Sequence, residues 1–580
     1  MKLKIKTSHK QTIFSINKAI VRIAFLVLFI SASIKAATIN VGSVSALQTA
    51  INNSNAGDVI ILANGTYLNN TLNIGKSNIT VKSESPGGVF LNGTNDININ
   101  GNYITFSGFQ FTSGDIGGSI VIEVYGKNNL LTQLNFSGYF AKKYIEVKAG
   151  TQYNEISYCN IEKKPAAAVS GCTIQISTSP TVIGYHKIRY CSFKDYYGIG
   201  GDFGNEPIRI GLSTENANKS RAIVEYCYFN NTGLGDSESV SIKCQENIIR
   251  FCTFTNQQNA MLCFRNGNNN VAYGNFFINA GGIRVKEANN IYCYNNYFEN
   301  SGVGSSAEPV VFVYDTSTYP VVLNNINFIH NTFYNCGTID MGGIGATDNT
   351  WANNIFQKNS GTIFSNANSG TTWAGNIYQG TLGISIPSGM TNANPLLISN
   401  GDGYKGLSAS SPAIDAAKSS YPAILDIAVI DDDPTLLFDC GGKSRPATIT
   451  LKDVGSDEFI TGATTNHPLA VTEVGPSYLG GPSLSINSTC ILDKNNAIAI
   501  FPNPATTSFS IETSSIYGGL VEVAILNLNG QLIKSDVDFQ KQVNTSQDKQ
   551  YDVSDLNNGV YFVKVVFENA SKTMKLILHR

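Results

Sequence analysis

IRYCSF at 188–193, VEYCYF at 224–229, IRFCTF at 249–254 and VAYGNF at 271–276 are four versions of one phrase, and YNNYF, HNTF, WANNIF and WAGNIY echo it further on. The last two stand in register, 351–356 against 373–378, a period of 22 residues. Earlier copies are spaced more widely, as if loops had been inserted into some turns. A fixed period of roughly twenty, built from short β-rich segments with Asn and Gly between them, is the pattern of a parallel β-helix. In such a solenoid one residue type stacks on itself rung after rung. Cys159, Cys191, Cys227 and Cys252, continued by Gly274 and Asn295, are expected to form one such internal ladder. The outward strand positions would then make a long, flat groove suited to a polymer.

Bulk properties agree. A chain of 580 residues exceeds what one compact core supports, but a solenoid escapes that limit because each coil contacts only its neighbours. Charged residues make up only 14% and the net charge is −2, which argues against a nucleic-acid partner. Eleven cysteines would suggest a disulfide framework in an exported protein, yet four occupy equivalent places on apolar strands and read as a buried thiol stack. No CxxC pair or His/Cys cluster suggests zinc.

The N-terminus is basic, with Lys2, Lys4, Lys6, Lys10, Lys18 and Arg22 ahead of an apolar run at 23–30 and the small-residue stretch SASIKAA. Residues 1–36 therefore read as a signal peptide, cleaved near Ala36 or Ala37. A short amphipathic helix is expected at 45–53, capped by Ser43 or Ser45 and closing the open end of the first coil. Short strands alternating with Gly/Asn turns run through 37–385. The rhythm then breaks. SPAIDAA at 411–417 and GGKSRPATITLKDVGSDEF at 441–459 are similar to the closing segments of secreted β-helix proteins, placing a cap region at 386–462. Thr, Pro, Gly and Ser without periodicity suggest a linker at 463–494.

Residues 495–580 are a different object. FPNP at 501–504 opens a series of alternating strands, and Asn529-Gly530 is a hairpin signal. With the LNGQ turn, the LNNGVYFV strand and the basic end, this segment resembles the C-terminal sorting domain of the type IX secretion system. The resemblance implies passage across an outer membrane, with that secretion machinery as partner, then release or surface attachment. The expected class is therefore all-β: a right-handed parallel β-helix with an N-terminal helical cap, plus a small C-terminal β-sandwich.

Strand alternation picks out the groove residues. Ile208 and Ile210 face inward, so Arg209 faces out. By the same rule Lys243 faces out beyond Val240 and Ile242, Arg265 beyond Leu262 and Phe264, and Arg284 and Lys286 around Val285. Four consecutive coils thus place cations on one face, about 4.8 Å apart from rung to rung, a pitch that fits a polyanionic, uronate-bearing polysaccharide. Asp236 and Glu238, two residues apart just before Lys243, are hard oxygen ligands suited to Ca²⁺. Elimination from a uronate needs a base for the C5 proton, neutralisation of the adjacent carboxylate and a donor for the leaving oxygen. A divalent cation supplies the second through charge. Lys243, beside that cation and Arg265, would be disposed to give up its proton and act as a neutral base.

GDSESVSIKCQENIIRFCTFTN at 235–256, followed by FRNG, YGNFF and GGIRV, resembles polysaccharide lyase family 6, the alginate lyases and chondroitinase B. The likeness runs over about 38–385. It implies that Asp236 and Glu238 are calcium-binding acids, that Lys243 is the Brønsted base and that Arg265 serves as the acid. It also makes Asn205 the candidate calcium-ligand Asn. Arg209, Arg284, Lys286 and Asn266 are then the expected substrate-binding residues. The chain departs from the family pattern in three ways. Asp236 stands where Glu is usual, Arg265-Asn266-Gly267 replaces Arg-His-Gly, and the interval from Lys243 to Arg265 is one residue longer.

Alginate is the expected substrate, with a monomer as the default state. Dermatan sulfate would require extra cations for sulfate, which this chain scarcely has. A hydrolase acting on galacturonan would need clustered Asp and a Gly-His-Gly. The latter is absent, and Asp431, Asp432 and Asp433 lie beyond the groove. A surface β-helix that binds glycan without cleaving it is the remaining alternative, supported by the lost histidine.

Overall fold

The computed structural model describes residues 36–578 apart from 167–170, 199–200, 203, 258, 305–306, 315–322, 343–346, 369, 423–437, 447, 461–463, 484–496, 502–504, 516–518, 528–531, 542–544 and 568–569. The expected signal peptide and Asp431–Asp433 fall outside the described residues, Ala36 excepted. Among those described, a 14-stranded parallel sheet runs from Thr38–Val41 to Thr371–Ala374. A 24-stranded sheet forms the other two faces. It opens with two long strands, Gly65–Ile74 and Val89–Ile99, and then divides into two parallel series. One series carries the groove, through Ile120–Val124, Lys143–Val147, Ile174–Ile176, Ile208–Ile210, Glu238–Ile242, Met261–Arg265, Ile283–Lys286 and Val310–Val313. The protein is a parallel β-helix, as its repeats require.

Its core is a stack of like on like. Phe193, Phe229, Phe254, Phe277, Phe298 and Phe333 lie ring over ring, with centroids 4.4–4.9 Å apart. That spacing is the rung spacing, so each phenyl ring stacks on its neighbours with no change of rotamer. The helix at the open end spans Val44–Asn53, one residue longer than expected, and the Ser43 hydroxyl caps it by accepting from Ala46 N at 3.1 Å.

The internal ladder departs from the expected register. Cys159, Cys191, Cys227 and Cys252 are buried and free, and each thiol lies against a main-chain carbonyl. The column then continues through Asn275, Asn296, Asn331, Asn354 and Asn376, not through Gly274 and Asn295. Each amide donates to the side-chain oxygen of the next at 2.9–3.0 Å, and Cys252 N donates to Asn275 at 3.0 Å. Thr253 pairs with Phe276, so VAYGNF aligns with IRFCTF one residue later than its aromatics suggest. Gly274 and Asn295 belong instead to the preceding column, which is left-handed in every coil: Tyr158, Tyr190, Tyr226, Phe251, Gly274, Asn295, His330, Asn353 and Gly375 have φ of 50–64°. Such residues cost about 1 kcal/mol or more each when they are not glycine, and stacking of Tyr158, Tyr190, Tyr226 and Phe251 at 4.8–5.1 Å offsets part of it.

The regions expected as cap and linker pack on the solenoid where they are described. Among the described residues only Met390–Asn392 adds a strand to the last coil. Much of the described chain from 405 to 479 lies along the flank, over the left-handed column, as a strap. Lys418 and Asn353 exchange two hydrogen bonds, of 2.8 and 2.9 Å. Arg445 and Phe438 meet Asn295, Asn466 meets Gly274, Leu469 meets Thr253, Gly475 meets Tyr190 and Ser477 meets Gln133. The segment 464–479 therefore runs back toward the first coils. It supplies partners to polar turn groups that would otherwise be buried unpaired. The C-terminal part forms a three-stranded and a four-stranded sheet sharing one core that includes Phe509, Ile511, Val523, Val563 and Leu576. Among the described residues no helix is long and apolar enough to cross a membrane.

Candidate active site

The groove cations occupy two columns, not one. Pairing of Ile210 with Ile242, Ile242 with Phe264 and Arg265 with Lys286 puts Lys243, Arg265 and Lys286 on successive rungs. Two residues back along the strands, a second column reads Arg209, Ser241, Cys263 and Arg284. Cys263 points to the groove side but is buried beneath its neighbours.

Lys243 follows the strand Glu238–Ile242 and is half-buried; no hydrogen bond or ion pair with a described residue engages its amine. Arg265, 28% exposed at its side chain, donates from Nη1 to Glu238 Oε1 at 3.0 Å. Arg284 donates to the Ser237 hydroxyl at 3.2 Å, and that hydroxyl donates to Asp202 at 3.0 Å. Lys286 is half-buried at the far end of its strand.

Below these cations lies a buried acid cluster. Glu206, Asp236 and Glu238 bring carboxylate oxygens within 4.8 Å of one another. Asp236 accepts from Gly204 N at 2.5 Å and from Glu238 N at 3.0 Å. Burial, with the charges of Glu206 and Glu238, pushes its carboxyl up to about 8. Burial acts the same way on Glu238, but Arg265, with Ser241, Lys243 and Arg284, holds it below the usual range. Two acids two residues apart are thus driven in opposite directions, as happens where a site is short of positive charge. Glu238 Oε2 and Asn205 Oδ1 are both buried without a partner among the described residues. Asn205 is held through its amide to Pro165 O at 3.3 Å. Three carboxylates with orphaned hard oxygens suit Ca²⁺.

Two expected substrate residues are committed elsewhere. Arg209 grips Glu206 with Nε at 3.0 Å and Nη2 at 2.7 and 2.6 Å, a fork that fixes the third acid of the cluster. Asn266 is buried in a left-handed turn, its amide donating to Glu287 Oε2 at 2.6 Å, so it offers no groove surface where the family pattern has His. Glu206 was missed from sequence. The signal was present: the register that pairs Ile208 with Val240 sets Glu206 one rung below Glu238.

A family model described as Chondroitinase B matches residues 41–378. A model of the secretion system C-terminal sorting domain matches 499–579. No curated protein sequence matches the chain. Among solved structures, the chain is similar to the PL6 family alginate lyase AlyGC, with a TM-score of 0.56 and 23% identity over 66% of this chain and 59% of that one. It thus spans less than two thirds of AlyGC. Alginate lyase AlyF-OU02 in complex with G6 gives 0.52 and 18% over 64% and 91% of the two chains. A PL6 alginate lyase in complex with a trisaccharide gives 0.51 and 19% over 65% and 92%. At identities this low the structural likeness shows the shared β-helix fold alone.

Proposed function

The chain belongs to the chondroitinase B family and ends in a type IX secretion sorting domain, and from that premise we propose that it is an exported polysaccharide lyase cleaving a uronate polymer, alginate first, by β-elimination. The observation that carries this reading is the rung-by-rung row of Lys243, Arg265 and Lys286 directly over the buried acids. The basic N-terminus would direct export, and the sorting domain passage across the outer membrane.

Asp236, Glu238 and Asn205, with Glu206 added, would hold a calcium ion, which when bound would neutralise the substrate carboxylate and loosen the C5 proton. Lys243, with no competing hydrogen bond among the described residues, would take that proton. Arg265, anchored by Glu238, would hydrogen-bond to the glycosidic oxygen on C4 and supply the proton it needs on leaving. The C5–H and C4–O bonds break, a C4–C5 double bond forms, and the leaving sugar ends in a hydroxyl. Arg284 and Lys286 would pair with neighbouring carboxylates and so place the scissile unit.

The test is ultraviolet absorbance of the unsaturated product on alginate, polymannuronate, polyguluronate, dermatan sulfate and polygalacturonate. Lys243→Ala is expected to lower kcat about a thousandfold, within the usual range for a general base, with Tm unchanged. Calcium at about a hundred times its Kd should add about 2.7 kcal/mol to stability. EDTA and Glu238→Gln should each remove that gain. A signal on dermatan sulfate alone would replace alginate as substrate. Binding without product on any polymer would make the protein a glycan-binding β-helix.

A further inference from the structure

Four rungs from Lys243 toward the first coils, its column contains an exposed aromatic ring. Main-chain pairing carries it from Lys243 through Gly211, Ser177 and Lys148 to Tyr125, roughly 19 Å at the spacing of parallel strands. Tyr125 is 47% exposed. Beside it, on the same face, is a cleft of about 550 Å³ whose lining includes Thr71, Thr94, Ser119, Glu123, Lys142 and Lys143. None of the cleft-lining residues belongs to the acid cluster, and only Glu123, in line with Arg209 through Gln175 and Glu146, continues a cation column.

The charge here is unlike that around Lys243. Lys148 bridges Glu123 and Glu146, and Lys143 reaches Glu146 at 2.9 Å. The lysines and glutamates therefore neutralise one another. Lys148 also lies over the Tyr125 ring, 5.5 Å from its centroid. Between the two regions the column carries only Ser177 and Gly211. Gly211 has φ of 74°, and a Cβ there would meet Cys244 Cβ at 2.9 Å, so the floor stays low at that rung.

We propose that Tyr125 and the adjoining cleft form a distal sugar subsite, which binds pyranose units of the same polysaccharide chain that Lys243 acts on. The ring offers an apolar face for stacking. The hydroxyl, amide and ammonium groups of the cleft match sugar hydroxyls. Because Lys142, Lys143 and Lys148 are balanced by Asp96, Glu123 and Glu146, this subsite reads ring faces and hydroxyls, whereas the Arg/Lys columns read carboxylates. A chain long enough to span both is held in one register, which favours internal cleavage of long polymers. The proposal rests on the lyase reading only for the direction of the groove.

The experiment is calorimetric titration of Lys243→Ala and Lys243→Ala/Tyr125→Ala with an alginate trisaccharide and a decasaccharide, alongside cleavage of both by the wild type and Tyr125→Ala. Tyr125→Ala is expected to weaken decasaccharide binding about tenfold, the loss of one aromatic anchor, and to leave trisaccharide binding unchanged. Tyr125→Phe should retain the wild-type affinity. Unchanged decasaccharide affinity in Tyr125→Ala overturns the subsite and leaves the lyase reading intact. Length-dependent, Tyr125-dependent binding without cleavage by the wild type overturns the lyase reading and leaves the subsite. Binding of neither oligomer overturns both.

Discussion

The groove and the strapped flank both bury charge in a chain that has little of it, and they treat that charge in opposite ways. On the flank, the Arg445 side chain is fully buried and its charge is met through both terminal nitrogens: Glu458 at 2.7 Å, Gly455 O at 2.8 Å, Asn295 at 3.1 Å and Asp453 O at 3.3 Å, with only Nε lacking an acceptor among the described residues. Lys443 likewise reaches Asp457 at 2.7 Å. In the groove, three acids crowd together, and Glu238 Oε2 and Asn205 Oδ1 have no hydrogen-bond partner among the described residues. Paired charges hold a fold in place. Crowded acids with oxygens left over, retained at a cost in stability, mark where a ligand is meant to complete them. Removing a charge should therefore cost stability on the flank and activity in the groove.

The largest stability effect follows from that contrast. Arg445→Met would leave Glu458 buried and unpaired, and is expected to cost about 3–5 kcal/mol, read as a lower midpoint in urea. Burial already pushes the Glu458 carboxyl up to about 7 against the pull of Arg445. Activity per folded molecule should persist, since Arg445 touches no groove residue. A stable but inactive Arg445→Met would break the comparison and tie the strap to catalysis.

Lys164 is a third way of burying charge, intermediate between the two. It is fully buried, its amine donates to Ala141 O at 2.5 Å and lies 5.1 Å from the Tyr144 ring centroid, and no described carboxylate pairs with it. Burial lowers its pKa to about 8. The unfolded chain keeps that proton up to about 10.4, so between the two values unfolding takes up a proton, and stability rises with pH. Below 8 the full penalty is present. Lys164→Met should therefore stabilise the protein by up to about 3 kcal/mol at pH 7, and the gain should shrink as pH climbs through 8 toward 10. A gain independent of pH would mean that packing, not charge, is responsible.

Sequence made some of this legible and hid the rest for identifiable reasons. Trp351 over Trp373, and the recurring Phe two residues after Cys191, Cys227 and Cys252, report neighbours one coil apart, so the β-helix shows in a single chain. Asp236, Glu238 and Lys243 lie within one strand and its entry, where alternation alone orients them. Glu206 needed the register across a loop of variable length, and so did the fork of bonds by which Arg209 holds it. The Gly274 slip has the same origin: Tyr273 imitates Phe251 in sequence, but Phe276 is what pairs with Thr253. The strap was unreadable because its bonding partners lie on the solenoid and leave no period in its own residues.

The internal column offers the finest contrast, because it changes chemistry midway while keeping its position. Asn331 donates to Cys293 O at 2.9 Å and to Asn354 Oδ1 at 3.0 Å, and its own oxygen accepts from Asn296 N at 2.9 Å and Nδ2 at 3.0 Å. Asn331→Ala orphans groups on both sides and should cost about 2–3 kcal/mol. Cys252 marks the junction. Its backbone N already donates to Asn275 Oδ1, and its thiol already faces Val224 O at 3.6 Å. An amide there would find both acceptors waiting, so Cys252→Asn should extend the ladder and shift stability by less than about 1 kcal/mol. Cys191→Asn, placed between Cys159 and Cys227, would bury an amide with no amide above or below it and should cost about 1–3 kcal/mol. Urea midpoints of the three variants decide the matter. Equal losses at Cys252 and Cys191 would mean that the column is set by side-chain volume, and that the asparagines are held there by packing rather than by their hydrogen bonds.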